Sequence, residues 1–166
     1  YSKIDHNKGK ETETDLNKVI ETINADFATN SNISIQVKNT LPVIFTDGAK
    51  IKQVFFSILD NAVRHSDKEN IEIEINVEEK DDEFIFSVKD NGPGIDKKYH
   101  EKIFVIFQTL KARDVFESIG AGLAITKKII EKQGGKIWVQ SASSQGSTFY
   151  FTIPKKKIGS DVALNE

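Results

Sequence analysis

A strand that alternates apolar with other side chains and runs unbroken into a glycine-rich turn leaves a chain few ways to fold, and residues 83–95 (EFIFSVKDNGPGI) do this. Phe84, Phe86 and Val88 recur with the period of two expected of a sheet strand, and DNGPGI follows at once. Gly92 and Gly94 around Pro93 suit a backbone that must turn sharply and let another molecule come close, because glycine has no Cβ and proline pre-sets its own φ. Asp90 is thereby delivered to the mouth of the turn. A carboxylate there can accept a hydrogen bond from an exocyclic amine in a shallow apolar cavity, which is one way to read an adenine edge. Asp, Asn, Gly and Pro also dominate ordinary surface turns, so this segment alone leaves a plain turn equally open.

A chain of 166 residues suits one domain with a buried core. Its 38% hydrophobic and 29% charged residues are globular proportions, and a formal charge of -2 gives no electrostatic case for nucleic-acid binding. The absence of cysteine excludes disulfides, zinc–thiolate sites and thiol nucleophiles. No apolar run could span a bilayer, and residues 1–7 lack the pattern of a signal peptide. A cytoplasmic fragment without membrane contact of its own is expected, from a parent chain that could itself be anchored.

Read in order, residues 1–12 form a polar, lysine-rich linker, residues 13–155 the folded domain and residues 156–166 a flexible tail. Leu16, Val19, Ile20, Ile23 and Phe27 predict an amphipathic helix over residues 15–27, with Thr14 or Asp15 as its cap. Residues 33–37 and 43–46 read as a pair of strands joined through residues 39–42. From Asp47 the period becomes helical, with Ile51, Val54, Phe55, Ile58, Leu59, Ala62 and Val63 as one wide apolar stripe. Ser57, Asn61 and Arg64 lie along one line beside that stripe and border either a cleft or plain solvent. The amide oxygen of Asn61 can ligate a hard cation such as Mg²⁺, and Arg64 is a permanent cation one turn on. Residues 71–77 alternate strictly and pair through a hairpin with the strand that ends at Asp90. Residues 97–107 read as short helical turns with Ile103, Phe104 and Phe107 toward the core, and residues 108–119 as a loop. Gly120 opens a helix reaching about Lys132, with Leu123, Ile125, Ile129 and Ile130 as its apolar members. Glycine leading into a helix can cradle phosphate on its first N–H groups. Residues 136–140 and 148–153 are the last strands, and Trp138 is expected in the core.

The order of these elements resembles the catalytic and ATP-binding domain of sensor histidine kinases. Residues 53–65 (QVFFSILDNAVRH) are similar to that family's N box, DNGPGI to its first glycine box, residues 103–107 (IFVIF) to its F box, residues 120–124 (GAGLA) to its second glycine box and residues 145–149 (QGSTF) to its glycine-threonine box. The resemblance covers residues 14–154 and implies a Bergerat-type ATP-binding fold. That is a two-layer α/β (α+β) sandwich, with a mixed, mainly antiparallel sheet of about five strands covered on one face by about three helices. Residues 107–113 resemble the short lids of phytochrome-type kinases.

The resemblance further implies ATP and Mg²⁺ as ligands and a set of roles. Asp90 would bond the adenine amine, Asn61 would ligate Mg²⁺, Arg64 would lie near the phosphates, and His65 would stand beside the base. Gly92, Gly94 and Ile95 would floor the adenine pocket, Thr148 would line its purine end, and Lys111 with Gly120, Ala121, Gly122 and Leu123 would serve the phosphates at the lid. Asn61 and Arg64 would be the catalytic pair. Ser57, Ser118, Ile119 and Gln133 depart from the family pattern. His6, His65 and His100 are the only histidines, and none sits in the family's His-acidic pair, so the chain is expected to begin after a dimerising, phosphoaccepting hairpin of its parent. That hairpin and a cognate response regulator are the implied partners. The open alternatives are an ATP or ADP sensor without phosphotransfer, another ATPase of the superfamily and an anti-sigma-type serine kinase.

Overall fold

The computed structural model describes residues 10–105, 120–141 and 145–155. Expectations placed on Phe107, Lys111, the loop 108–119 and the tail 156–166 lie outside these. In chain order the elements are β1 (Glu11–Asp15), α1 (Leu16–Phe27), β2 (Ile33–Val37), β3 (Val43–Asp47), α2 (Gly48–Arg64), β4 (Ile71–Glu79) and β5 (Glu83–Asp90). Two 3₁₀ turns (Lys97–Tyr99 and Lys102–Phe104) follow, then α3 (Gly120–Lys132), β6 (Ile137–Ser141) and β7 (Ser147–Pro154).

Strict alternation builds the sheet. Ile71, Ile73 and Ile75 of β4, Phe86 and Val88 of β5, and Phe149, Phe151 and Ile153 of β7 all turn inward and are buried. The strands run in the order β2-β4-β5-β7-β6, with only the β2–β4 pair parallel. Over the inner face lies α2, whose Ile51, Val54, Phe55, Ile58 and Leu59 are wholly buried at helical spacing. Asp47 caps α2 by accepting hydrogen bonds from the N–H groups of Ala49 and Lys50, at 3.1 and 3.3 Å. Phe55 meets Phe86 and Phe151 edge-on at 5.7 and 5.2 Å between ring centroids, while Phe86 and Phe151 stack at 5.0 Å. Such ring pairs contribute roughly 0.5–1.5 kcal/mol each beyond their burial. The result is the expected two-layer sandwich, with the sheet mixed and mainly antiparallel.

This alternation also builds the site. Counting in twos along β5 from Phe84 through Phe86 and Val88 reaches Asp90, so a carboxylate closes the row of inward side chains. Asp90 is only 9% exposed.

Four expectations are corrected. β2 and β3 do not pair with each other: β2 joins β4 at the sheet's edge, and β3 forms a separate two-stranded ribbon with β1. That ribbon extends order into the expected linker, since Glu11 and Thr12 pair with Asp47 and Thr46. Trp138 lies on the outer face of the sheet, stacked on Tyr150 at 5.3 Å, because its neighbour Val139 takes the inward position. In α3, Ile125 faces solvent while Thr126 is fully buried, its hydroxyl satisfied by the Gly122 carbonyl at 2.7 Å.

Candidate functional site

The end of β5 forms one wall of a cavity of about 260 Å³. Asp90 Oδ1 accepts two backbone hydrogen bonds, from Gly92 N–H at 2.9 Å and from Ser147 N–H at 3.1 Å. Oδ2 has no partner among the described residues, and the carboxylate lines the cavity. Burial pushes the Asp90 carboxyl above the usual carboxylate range, and the two N–H donors pull it part of the way back. Ser147 can reach Asp90 because the residue before it is glycine. Gly146 has φ +77°, and a Cβ there would lie 2.1 Å from the Asp90 carbonyl oxygen. No other residue type allows so close an approach of the two chain segments. Asn91 anchors the other side of the turn, donating to the Asn70 carbonyl and accepting from Glu72 N–H, both at 3.0 Å.

The facing wall is the last turn of α2. Asn61 is 7% exposed, and its Oδ1 is buried without a hydrogen-bond partner among the described residues; Nε2 of His65, which caps the helix, is in the same state. Each such atom costs roughly 1–3 kcal/mol if nothing satisfies it, so native proteins seldom keep one without a use. Both residues line the cavity. A neutral, hard amide oxygen is a suitable ligand for Mg²⁺, so Asn61 fits the ion. Among the described residues no group of three or more His, Cys, Asp or Glu could hold a metal. A cation at Asn61 would therefore draw its other ligands from water or from the phosphates of a bound molecule.

The cavity thus brings together Asn61, His65, Asp90, Gly92, Gly94 and Ile95 of the expected set. Arg64 does not line it and pairs with Asp60 at 2.8 Å. Gly122 packs against α2 beside Ser57, where a Cβ would lie 3.7 Å from the serine Oγ, so the first turn of α3 (Gly120, Ala121, Gly122) adjoins α2 one turn before Asn61. Leu123 is a core residue. Thr148 belongs to the outer face of β7, between Lys89 and Gln140, and it is Ser147 that lines the cavity. Ser147, Gly146 and Asn91 were not singled out from the sequence. The inward phase of Phe149 was the signal for the first of them, since residues 147 and 149 share a face.

Comparison with known proteins fits this geometry. Residues 46–157 match the family described as histidine kinase-, DNA gyrase B-, and HSP90-like ATPase. The chain belongs to this family. It is 41% identical over 159 residues to cyanobacterial phytochrome A of Nostoc sp., and 38% identical over 157 residues to the phytochrome-like protein Cph1 of Synechocystis sp.. Each alignment takes in 93% of the chain, which spans only 20% and 21% of those relatives' lengths. Among solved structures it is similar to the catalytic domain of the histidine kinase ThkA, with 34% identity, a TM-score of 0.72, and coverage of 87% of this chain and 97% of that one. ThkA has also been solved in complex with the response regulator protein TrrA, where identity is 32%, the TM-score 0.70, and coverage 88% and 42%. The chain is therefore an ATP-binding domain homologous to the catalytic domains of sensor histidine kinases, phytochrome-type ones included. Family membership carries the capacity to bind ATP with Mg²⁺. No helix among the described residues is long and apolar enough to cross a membrane.

Proposed function

We propose that this domain binds Mg-ATP and, within a longer parent chain, presents the γ-phosphoryl group to a histidine on a separate helical dimerisation domain, from which it passes to a cognate response regulator. The observation that carries the nucleotide part is the divided carboxylate of Asp90, which lines the cavity with Oδ1 held by two backbone donors and Oδ2 without a partner among the described residues. An acceptor so fixed suits the exocyclic amine of adenine. His65 and Ile95 flank the base. Asn61 Oδ1 would ligate Mg²⁺, which when bound neutralises phosphate charge. The N–H groups of Gly120, Ala121 and Gly122 at the start of α3 would hold phosphate oxygens, aided by the helix dipole. Arg64 would join them by exchanging Asp60 for phosphate, with Lys111 as a further cation from the lid. These groups position the substrate and balance its charge, which is most of what a protein contributes to phosphoryl transfer. The phosphotransfer part rests on likeness to the ThkA catalytic domain, and the response regulator on the ThkA complex.

Calorimetry with Asp90→Asn tests the first part. The amide keeps an oxygen toward Gly92 and Ser147 but turns a donor toward the adenine amine, so ATP binding is lost while circular dichroism is unchanged. Unaltered affinity would sink the adenine role. Supplying a matching histidine-bearing hairpin with radiolabelled ATP tests the second part, because binding without phosphohistidine would leave an ATP or ADP sensor.

A further inference from the structure

We infer that Ser141 and His100 are positioning residues for the nucleotide site, gripping Ile95 from two sides so that the glycine turn holds the shape purine recognition requires. This rests on the nucleotide reading of the same cavity. Ile95 N–H donates to Ser141 Oγ at 2.7 Å, and the Ile95 carbonyl lies 2.8 Å from His100 Nε2. A carbonyl only accepts, so that nitrogen carries the hydrogen, in the neutral ring and in the imidazolium alike. Ser141 Oγ also lies 2.9 Å from the Gly146 carbonyl and 3.1 Å from Ser147 Oγ. A hydroxyl has one hydrogen and two lone pairs. Ser141 therefore uses its full capacity, donating to Gly146 and accepting from Ile95 and from Ser147.

The chemistry matters because of where the chain leads. Ser147 N–H is one of the two donors on Asp90, and Gly92 N–H, at the other end of the same turn, is the second. One serine hydroxyl thus joins the turn that floors the cavity to the strand that orients its acceptor. Residues 91–96 belong to no helix or strand. Without Ser141 and His100 the turn would keep Gly92 on Asp90 but lose its hold at Ile95, and binding would have to order it.

The experiment measures dissociation constants for Mg-ATP and Mg-GTP on the 166-residue chain by calorimetry, with thermal melts alongside. Guanine presents a carbonyl where adenine presents its amine, so the ATP-to-GTP affinity ratio reports how well Asp90 is aimed. Ser141→Ala and His100→Ala are each expected to lower that ratio about fivefold, the scale of one hydrogen bond. Ser141→Thr keeps the hydroxyl, and His100→Gln keeps a donor at the Nε2 position, so both restore it. A general loss of structure would weaken ATP and GTP together and leave the ratio unchanged. That result overturns the inference, as does an unchanged ATP affinity. Should Ser141→Ala fail to fold, the His100→Ala and His100→Gln pair decides alone. Asp90→Asn separates the two readings: if it abolishes ATP binding while the clamp variants keep the wild-type ratio, the site stands and the clamp falls.

Discussion

The two walls of the cavity are built on opposite terms. On the sheet side, Asp90 Oδ2 apart, the polar groups that shape the wall are held by protein partners: Asp90 Oδ1 by Gly92 and Ser147, Asn91 by Asn70 and Glu72, Ile95 by Ser141 and His100. On the helix side, Asn61 Oδ1 and His65 Nε2 are buried and have no hydrogen-bond partner among the described residues. The first wall is a mould set in folding, with one carboxylate oxygen left over. The second stores an unmet demand for hydrogen bonds or a cation, which a ligand can satisfy. Changes to the first should therefore act on stability and specificity together, and changes to the second on affinity with little loss of stability.

Gly146→Ala gives that contrast its hardest test. The new Cβ would lie 2.1 Å from the Asp90 carbonyl, at a φ of +77°. Left-handed backbone and overpacking together should cost about 2–5 kcal/mol, read as a lower unfolding free energy in urea. A loss below about 0.5 kcal/mol would mean that the strand ends separate easily and that the sheet wall is no mould. Asn61→Ala is the matching change on the other wall. It removes an unsatisfied oxygen, so the ligand-free protein should lose little stability, whereas ATP affinity with Mg²⁺ should fall about 10- to 100-fold and metal-free affinity much less. Equal losses with and without the ion would remove Asn61 as its ligand.

A smaller effect follows from the raised pKa of Asp90, whose chief cause is burial. The folded state holds this proton more tightly than the unfolded chain does. The associated stability is thus fully present below the ordinary carboxylate pKa and is lost as pH rises through the folded value. At neutral pH the ionised carboxylate strains the ligand-free fold, and Asp90→Asn should raise its unfolding free energy. At pH values below the ordinary carboxylate range that advantage should vanish, because both side chains are then neutral. Urea titrations at several pH values would show it. A destabilised Asp90→Asn at neutral pH would mean that the charge supports the mould.

How much of this was legible in the chain depends on phase. In β4 and β5 the apolar residues alternate without a slip, so the inward row, and Asp90 at its end, could be read by counting in twos. In β6 three apolar residues stand together (Ile137, Trp138, Val139), the phase is lost, and Trp138 is misplaced. In α3 the buried Thr126 hid the true stripe, because its hydroxyl finds the Gly122 carbonyl within its own helix. Strand partners were illegible for another reason. Whether β3 joins β2 or β1 depends on where α1 and α2 pack, and that is settled by the whole core. The unsatisfied atoms of Asn61 and His65 are properties of a closed interior, and no spacing in the chain encodes them.

Thr148 offers the finest discrimination. Its neighbours Ser147 and Phe149 point inward and are buried, while Thr148 stands between Lys89 and Gln140 on the opposite face of β7. The sheet separates its side chain from the cavity, although its backbone follows directly on that of Ser147. Thr148→Ala should thus alter ATP affinity by no more than about twofold, the range of a substitution away from any special feature. The same measurement on Ser147→Ala, which removes the hydroxyl 3.1 Å from Ser141 Oγ, should give the larger loss. The reverse order would mean that bound nucleotide reaches the outer side of β7, and that the divided Asp90 carboxylate does not mark where the base lies.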